Sequence, residues 1–281
     1  MKTRFGPAGI PISCKGDNIE GLKHSIGLGL RAYEVQFGHG VKMSPRMARE
    51  LQLIREESGV RVSCHAPYYL NCNNAEKYAT TKRHLHDCIK VSQYLPFTRI
   101  VFHTGYLMKM ERSKALKNSI QALKLIIKEA RAKGYKDFTL GPEVAGKTYQ
   151  IGDLSEIITI CKEIPECEPV IDWGHYNARN NGCLKSKSDY LRVIEALRDE
   201  LGKKSLKNLH CHFSNIEYNA KGEVNHYPLG SEWGPRFEPL AELIKENDYE
   251  FTIISESPLI EQDALKMKKV LLKTWKLTKD T

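Results

Sequence analysis

Apolar runs of strand length alternate with helix-periodic stretches along the whole chain. RFGPAGIPI precedes the helical stretch DNIEGLKHSIGLG, and RAYEVQF precedes SPRMARELQLIREESG. VRVSCHAP is followed by AEKYATTKRHLHDCIKVSQYL, FTRIVFHTG by SKALKNSIQALKLIIKEARAKG, and DFTLGPEVAG by DLSEIITICKEI. The series ends with EPVIDWGH and KSDYLRVIEALRDELG, NLHCHFSNI and PRFEPLAELIKEND, and EFTIISESP and EQDALKMKKVLLKTWK. Strand and helix patterns alternating in this way predict the α/β class, with a parallel sheet closed as a TIM (β/α)8 barrel. Cap signals agree. Asp17, Ser44, Asp153 and Ser188 precede helical stretches, Pro45 suits a first helical position, and Gly59, Gly134 and Gly202 fall where helices should end. With no long linker or composition break, residues 1–281 read as a single domain.

The same pattern aims side chains. Alternate residues of a strand face one way, so His103 shares a face with Val101, Asp172 with Val170, Glu256 with Ile254 and Glu143 with Gly141. Phe102, Ile171 and Ser255 then point to the helices. His210 and His212 also share a face. The potential metal ligands His65, His103, Glu143, Asp172, His212 and Glu256 follow one another at steps of 38, 40, 29, 40 and 44 residues, each at the end of a strand-like run. A (β/α)8 barrel of about 250 residues repeats roughly every 30–40 and gathers its strand ends on the catalytic face. A lone His at a strand end is usually a satisfied hydrogen-bonding residue. Six ligand types at equivalent ends have few structural explanations, because buried charge needs a partner or a metal. Imidazoles and carboxylates without cysteine suit Zn²⁺, Mn²⁺ or Fe²⁺ in hydrolysis or isomerisation. His175, three residues after Asp172, and His226, in the expected loop GEVNHYPLG, extend the set. His24, His84 and His86 fall on helices and read as structural; His39 lies in the FGHG loop, as a substrate contact or simply a turn.

Composition adds little to the fold and something to the partner. Hydrophobic content of 41% and charged content of 27% are those of an ordinary globular protein. The eight cysteines form no C-x-x-C pair and read as reduced, mostly buried thiols. MKTRFGPAGIPIS lacks the apolar core of a signal peptide, and no apolar run approaches the roughly 18 residues of a membrane span. The expectation is a cytoplasmic, monomeric protein without membrane contact. A net charge of +9 favours a polyanion such as nucleic acid, and is equally explained by lysine-rich solvated helix faces such as KALKNSIQALKLIIKEARAKGYK.

In order and spacing the motifs HAPYYLN, FHTG, PEVAG, IDWGH, HFSN and ESP resemble those of the endonuclease IV family, zinc-dependent apurinic/apyrimidinic endonucleases built on a TIM barrel. The resemblance runs from the first strand to Glu256. It implies two or three Zn²⁺ ions, with Mn²⁺ as the alternative metal. His65 and His103 would hold one ion. Glu143, the catalytic bridge, would join it to a second completed by Asp172, His212 and Glu256. His175 and His226 would hold a third. The implied substrate is double-stranded DNA cut 5′ of an abasic site, leaving a 3′-hydroxyl, with Tyr68, Tyr69 and Leu70 against the opened duplex or, for some of them, in the core. Such metals lower the pKa of bound water to roughly 7 and clamp the attacking and leaving oxygens of a phosphodiester. Two departures stand out. The family carries an Asp two residues before its loop His, where this chain has Val224, so the third ion needs Glu223 or Glu217. The loop QFGHGVKMSP differs from the more polar segment of the bacterial enzymes. The rival reading is a xylose-isomerase-like sugar isomerase or epimerase with one divalent ion on Glu, Asp, His and Glu, which does not require His65, His103, His175 and His226 together. A nucleic-acid-binding protein on a degenerate barrel is the third.

Overall fold

In a computed structural model describing residues 2–276, eight parallel strands close into a barrel. One half has the order β1 (Arg4–Pro7), β12 (Thr252–Ser255), β9 (His210–Phe213), β8 (Val170–Asp172). The other has β2 (Ala32–Gln36), β3 (Arg61–His65), β4 (Ile100–Phe102), β6 (Leu140–Pro142). Single bridges join the halves: Ala8 to Glu34 on one side, and Glu143 to Val170 and Leu140 to Cys167 on the other. The outer helices are α1 (Asn18–Gly27), α2 (Pro45–Ser58), α3 (Tyr78–Ser92), α4 (Arg112–Ala132), α5 (Leu154–Glu163), α7 (Lys187–Leu201), α8 (Glu238–Glu246) and α9 (Ile260–Lys276).

Burial follows the predicted two-residue period. Phe102 and Ile171 join the apolar core between barrel and helices, with Phe5, Tyr33 and Phe213. Val101, Val170 and Ile254 are buried outside that cluster, as side chains inside the barrel should be. Asp17 and Asp153 close capping boxes with Glu20 and Glu156, and the Ser44 side chain accepts from Met47 N. The cap of α7 is Ser186 rather than Ser188: the Asp189 carboxylate reaches back to Ser186 N, which starts the helix two residues early. Gly59 takes the left-handed cap of α2 at φ 65°. No described helix is long and apolar enough to cross a membrane.

Three features have no counterpart in the predicted strands and helices, and all sit over the carboxyl ends of the strands. A short helix, α6 (Trp173–Arg179), starts directly on Asp172. A hairpin of β10 (Asn215–Asn219) and β11 (Gly222–Tyr227) follows β9, so His226 lies in a strand and not in a loop. The short β5 (Gly105–Tyr106) pairs with β7 (Gln150–Ile151). Arg179 ties the turn after Glu143 in place, donating to the carbonyls of Ala145, Lys147 and Gln150.

Candidate metal centre

Glu143 is fully buried one residue beyond β6, where its N–H donates to Phe102 O at 3.1 Å. Its carboxylate is the hub of the site. One oxygen lies 3.2 Å from His65 Nε2 and 3.5 Å from His103 Nδ1. The other lies 3.0 Å from His212 Nδ1 and 3.3 Å from His175 Nδ1. His212 Nδ1 is also 3.3 Å from Glu256 and 4.0 Å from Asp172. The expected strand-end residues therefore converge, and Glu143 is shared between two groups of possible ligands: His65 with His103, and Asp172 with His212 and Glu256.

The other nitrogen of each ring decides which one is free. His65 Nδ1 sits 2.7 Å from Ala66 O, so it carries the proton and leaves Nε2 facing Glu143. His175 Nδ1 sits 3.1 Å from Val144 O, which leaves Nε2 toward the hairpin. His226 Nδ1 is 2.9 Å from Ser214 Oγ, and its Nε2 faces the same space.

That space holds a third group, His175, Glu223 and His226, whose ligand atoms lie within 4.8 Å of one another. Glu223 reaches both rings, at 3.6 Å from His175 Nε2 and 3.7 Å from His226 Nε2. The missing carboxylate is thus supplied by Glu223, while Glu217 turns away to Asn225 and Tyr227. In a regular strand, residues three apart face opposite ways. Here the hairpin register passes from Glu217 opposite Asn225 to Tyr218 opposite Glu223, skipping Val224. A bulge of this kind re-aims a side chain, and it brings Glu223 to the face of His226 while Val224 is exposed. Gly146 completes the fit: a Cβ there would lie 2.6 Å from Glu223 Oε2 and 2.9 Å from His175 Cδ2.

The carboxylates and imidazoles of the site shift one another's ionisation. Burial would raise the Glu143 carboxyl, but His103 and His212 hold it well below the usual range. Burial likewise opposes ionisation of Glu223, and His175 and His226 bring it down to about 2. Burial, with the Glu143 and Asp172 charges nearby, pushes Glu256 up. His65 is drawn up to about 9 by Glu143 against the effect of burial, whereas burial drives His103 down to about 4. Asp172 Oδ2 and His103 Nδ1 are buried without a hydrogen-bond partner. Orphaned polar atoms of this kind are rare in folded proteins, and these two point among the ligand atoms, so the donor set fits divalent metal.

Sequence reasoning misses one residue of the site and treats another only as a substitute. Glu34, in the middle of β2, is fully buried and touches His210 and His212. A carboxylate on the inward face of the apolar run AYEVQ is the signal that could have found it. Glu223 is the substitute, and it proves to be the carboxylate of the third group. Among the expected substrate contacts, Tyr68 stands exposed, edge-on to His39 and Tyr69. Tyr69 is half-buried and its hydroxyl engages His84 Nε2 at 3.0 Å. Leu70 is a correction: it is 1% exposed and belongs to the apolar core, because it turns inward past Tyr69. His86 bonds Ile126 O and His24 bonds Ser13 Oγ, the structural roles expected of them.

Residues 25–273 match the model of the xylose isomerase-like TIM barrel family. The uncharacterized protein MJ0133 of Methanocaldococcus jannaschii is 33% identical over 94% of this chain and 95% of its own. Endonuclease IV from Thermus thermophilus superposes with a TM-score of 0.71 at 18% identity, covering 96% of this chain and 99% of that one. A D-tagatose 3-epimerase-like protein superposes with a TM-score of 0.70 at 21% identity, covering 100% and 99%. The two structural likenesses bear on fold alone. The closed barrel, the ligand types at its strand ends and the family match agree, and the chain belongs to the xylose isomerase-like TIM barrel family.

Proposed function

We propose that this protein is a zinc-dependent phosphodiester hydrolase of the endonuclease IV type, acting on double-stranded DNA at apurinic/apyrimidinic sites. The observation that carries the reading is the run of three adjoining ligand groups around Glu143. A sugar epimerase with one ion needs only Glu143, Asp172, His212 and Glu256. It leaves His65, His103, His175, Glu223 and His226 unexplained, and buried or half-buried groups of this kind are costly to keep without a role. Zinc held in these groups would supply Lewis acidity toward phosphate oxygens and an activated water. His65 with His103, the tetrad on Glu143, and His175 with Glu223 and His226 are the proposed holders, with Mn²⁺ the alternative ion. Glu143 fixes the spacing of the first two groups. Tyr68, with Tyr69 behind it, offers a face on which a displaced base can stack. The protein is expected to act as a monomer.

The test is a pair of assays on metal-loaded protein: cleavage of a duplex carrying one abasic site, and epimerisation of D-tagatose and D-fructose. The expected result is strand cleavage 5′ of the lesion and no sugar turnover. Glu143→Gln should lower cleavage by at least about 100-fold with the fold intact, since bridging ligands are essential to paired-metal sites. Sugar turnover with a single bound ion would replace this reading by the epimerase one.

A further inference from the structure

We infer that Glu34 is a positioning residue for the metal centre, holding the His212 ring from behind so that its Nδ1 faces the ligands. The inference rests on the metal reading above and adds a residue to it. His212 is fully buried, and its two nitrogens look in opposite directions. Nδ1 meets Glu143 at 3.0 Å and Glu256 at 3.3 Å. Nε2 lies 3.1 Å from Glu34 Oε1, within ion-pair reach though off the line of a straight hydrogen bond. His65 and His226 each have their rear nitrogen held by a neutral oxygen, from Ala66 O and Ser214 Oγ, while His175 Nδ1 meets Val144 O with Glu143 and Asp172 each 3.3 Å away. The carboxylate behind His212 differs from those near His175: Glu34 belongs to neither of the ligand groups that contain Glu143. A carboxylate behind a metal-bound imidazole fixes its tautomer and orientation and makes the ring a stronger donor.

Glu34 is itself placed by three donors. Ser63 Oγ donates to its Oε2 at 2.8 Å, His210 Nε2 lies 3.0 Å from the same oxygen, and Gln36 Nε2 donates to Oε1 at 3.0 Å. The carboxylate is therefore rigid, fully buried and free of Lys or Arg partners among the described residues. Glu34, His210 and His212 also form a group whose ligand atoms lie within 4.8 Å of one another, but both Glu34 oxygens already take donors, Oε2 from Ser63 and His210 and Oε1 from Gln36, which suits a support better than a ligand.

Zinc chloride titration against a chelator of known affinity, on stripped wild type and Glu34→Gln, tests the inference. One class of bound zinc should weaken by about 10–100-fold, while the class on His175, Glu223 and His226 keeps its affinity. Crystals of Glu34→Gln should show the His212 ring rotated from its wild-type orientation. Equal affinities and an unmoved ring overturn the inference. A uniform fall in all classes also overturns it, since a merely structural role would act that way. If wild type takes up no zinc, the metal reading fails on its own account. The His212 orientation in the two metal-free crystals then still decides the role of Glu34. Should Glu34→Gln not fold, Ser63→Ala removes one donor and keeps the carboxylate. Several-fold weakening of the same class is expected, and no change counts against the inference.

Discussion

On the metal reading proposed above, the His65 ring should couple metal uptake to pH. Without metal, Glu143 draws its pKa from the ordinary 6.5 up to about 9, against the effect of burial. The folded value is raised, so the stabilisation from protonated His65 is fully present below pH 6.5 and is lost as pH rises through about 9. Zinc needs the lone pair of Nε2 and must displace that proton. His103, held down at about 4, is already neutral and releases none. Metal-free protein should therefore lose thermal stability between pH 6.5 and 9, and the rise in Tm on adding zinc should widen across that window. A zinc effect independent of pH there would remove His65 from the ligand set. At this scale the sequence was most legible where chemistry repeats with the barrel period, as with Glu143, Asp172 and His212. It was least legible at Glu34, because a single carboxylate in an apolar run names no partner until β9 brings His210 and His212 across the barrel. Leu70 takes the core alternative that adjacency to His65 and Tyr68 left open, because the local chain direction turns it inward.

Elements with a strong hydrophobic period were readable, and the short pieces laid over the strand ends were not. All eight barrel strands lie within the predicted runs, since short apolar runs between longer helix-periodic stretches are told apart by length and by the turn residues that bound them. The β10–β11 hairpin, α6 and the β5–β7 pair are too short and too polar to announce themselves, yet the hairpin and α6 carry Glu223, His226 and His175. The hairpin makes a specific prediction. Val224 is the residue skipped by the register between Glu217 and Tyr218, so it behaves as an insertion absorbed by a bulge. Deleting it leaves Glu-Asn-His, with acid and imidazole two apart and on one face by strand alternation. Zinc affinity of the His175, Glu223, His226 group should stay within a few-fold of wild type in the deletion variant. Val224→Asp should add nothing, because that side chain is exposed and the carboxylate is already present. A gain in zinc affinity with Val224→Asp, measured by the same competition titration, would mean that Glu223 does not serve the third ion.

For the whole molecule, the question is what the charge of +9 does. Many cations are spent on the helical wall and its turns: Lys124 pairs with Glu163, Lys187 with Glu246 and Arg131 with Glu166 in the turn after α5, which supports the solvated-face reading for much of the surface. The carboxyl-end loops differ. Lys42 after β2, Lys109 after β5 and Lys221 at the tip of the hairpin are exposed and make no ion pair among the described residues. They stand on the end of the barrel that carries the metal groups, together with exposed Tyr68, Met108 and Tyr149. A backbone phosphate meeting these lysines would release counterions, and binding would weaken linearly in log–log terms with salt, by about 0.9 per contact on duplex DNA. Replacing Lys42, Lys109 and Lys221 by Ala should therefore flatten the salt dependence of binding to an abasic duplex by roughly 2–3 units of slope. Fold and zinc content should be unchanged, because none of the three touches a ligand group. Replacing Lys124, Lys187 and Arg131 instead should leave the slope alone, since those cations face carboxylates on the helical wall and its turns. The two triple variants remove the same charge and differ only in where it sits. Equal slopes would mean that net charge alone, and not a surface around the metal centre, governs attraction to DNA.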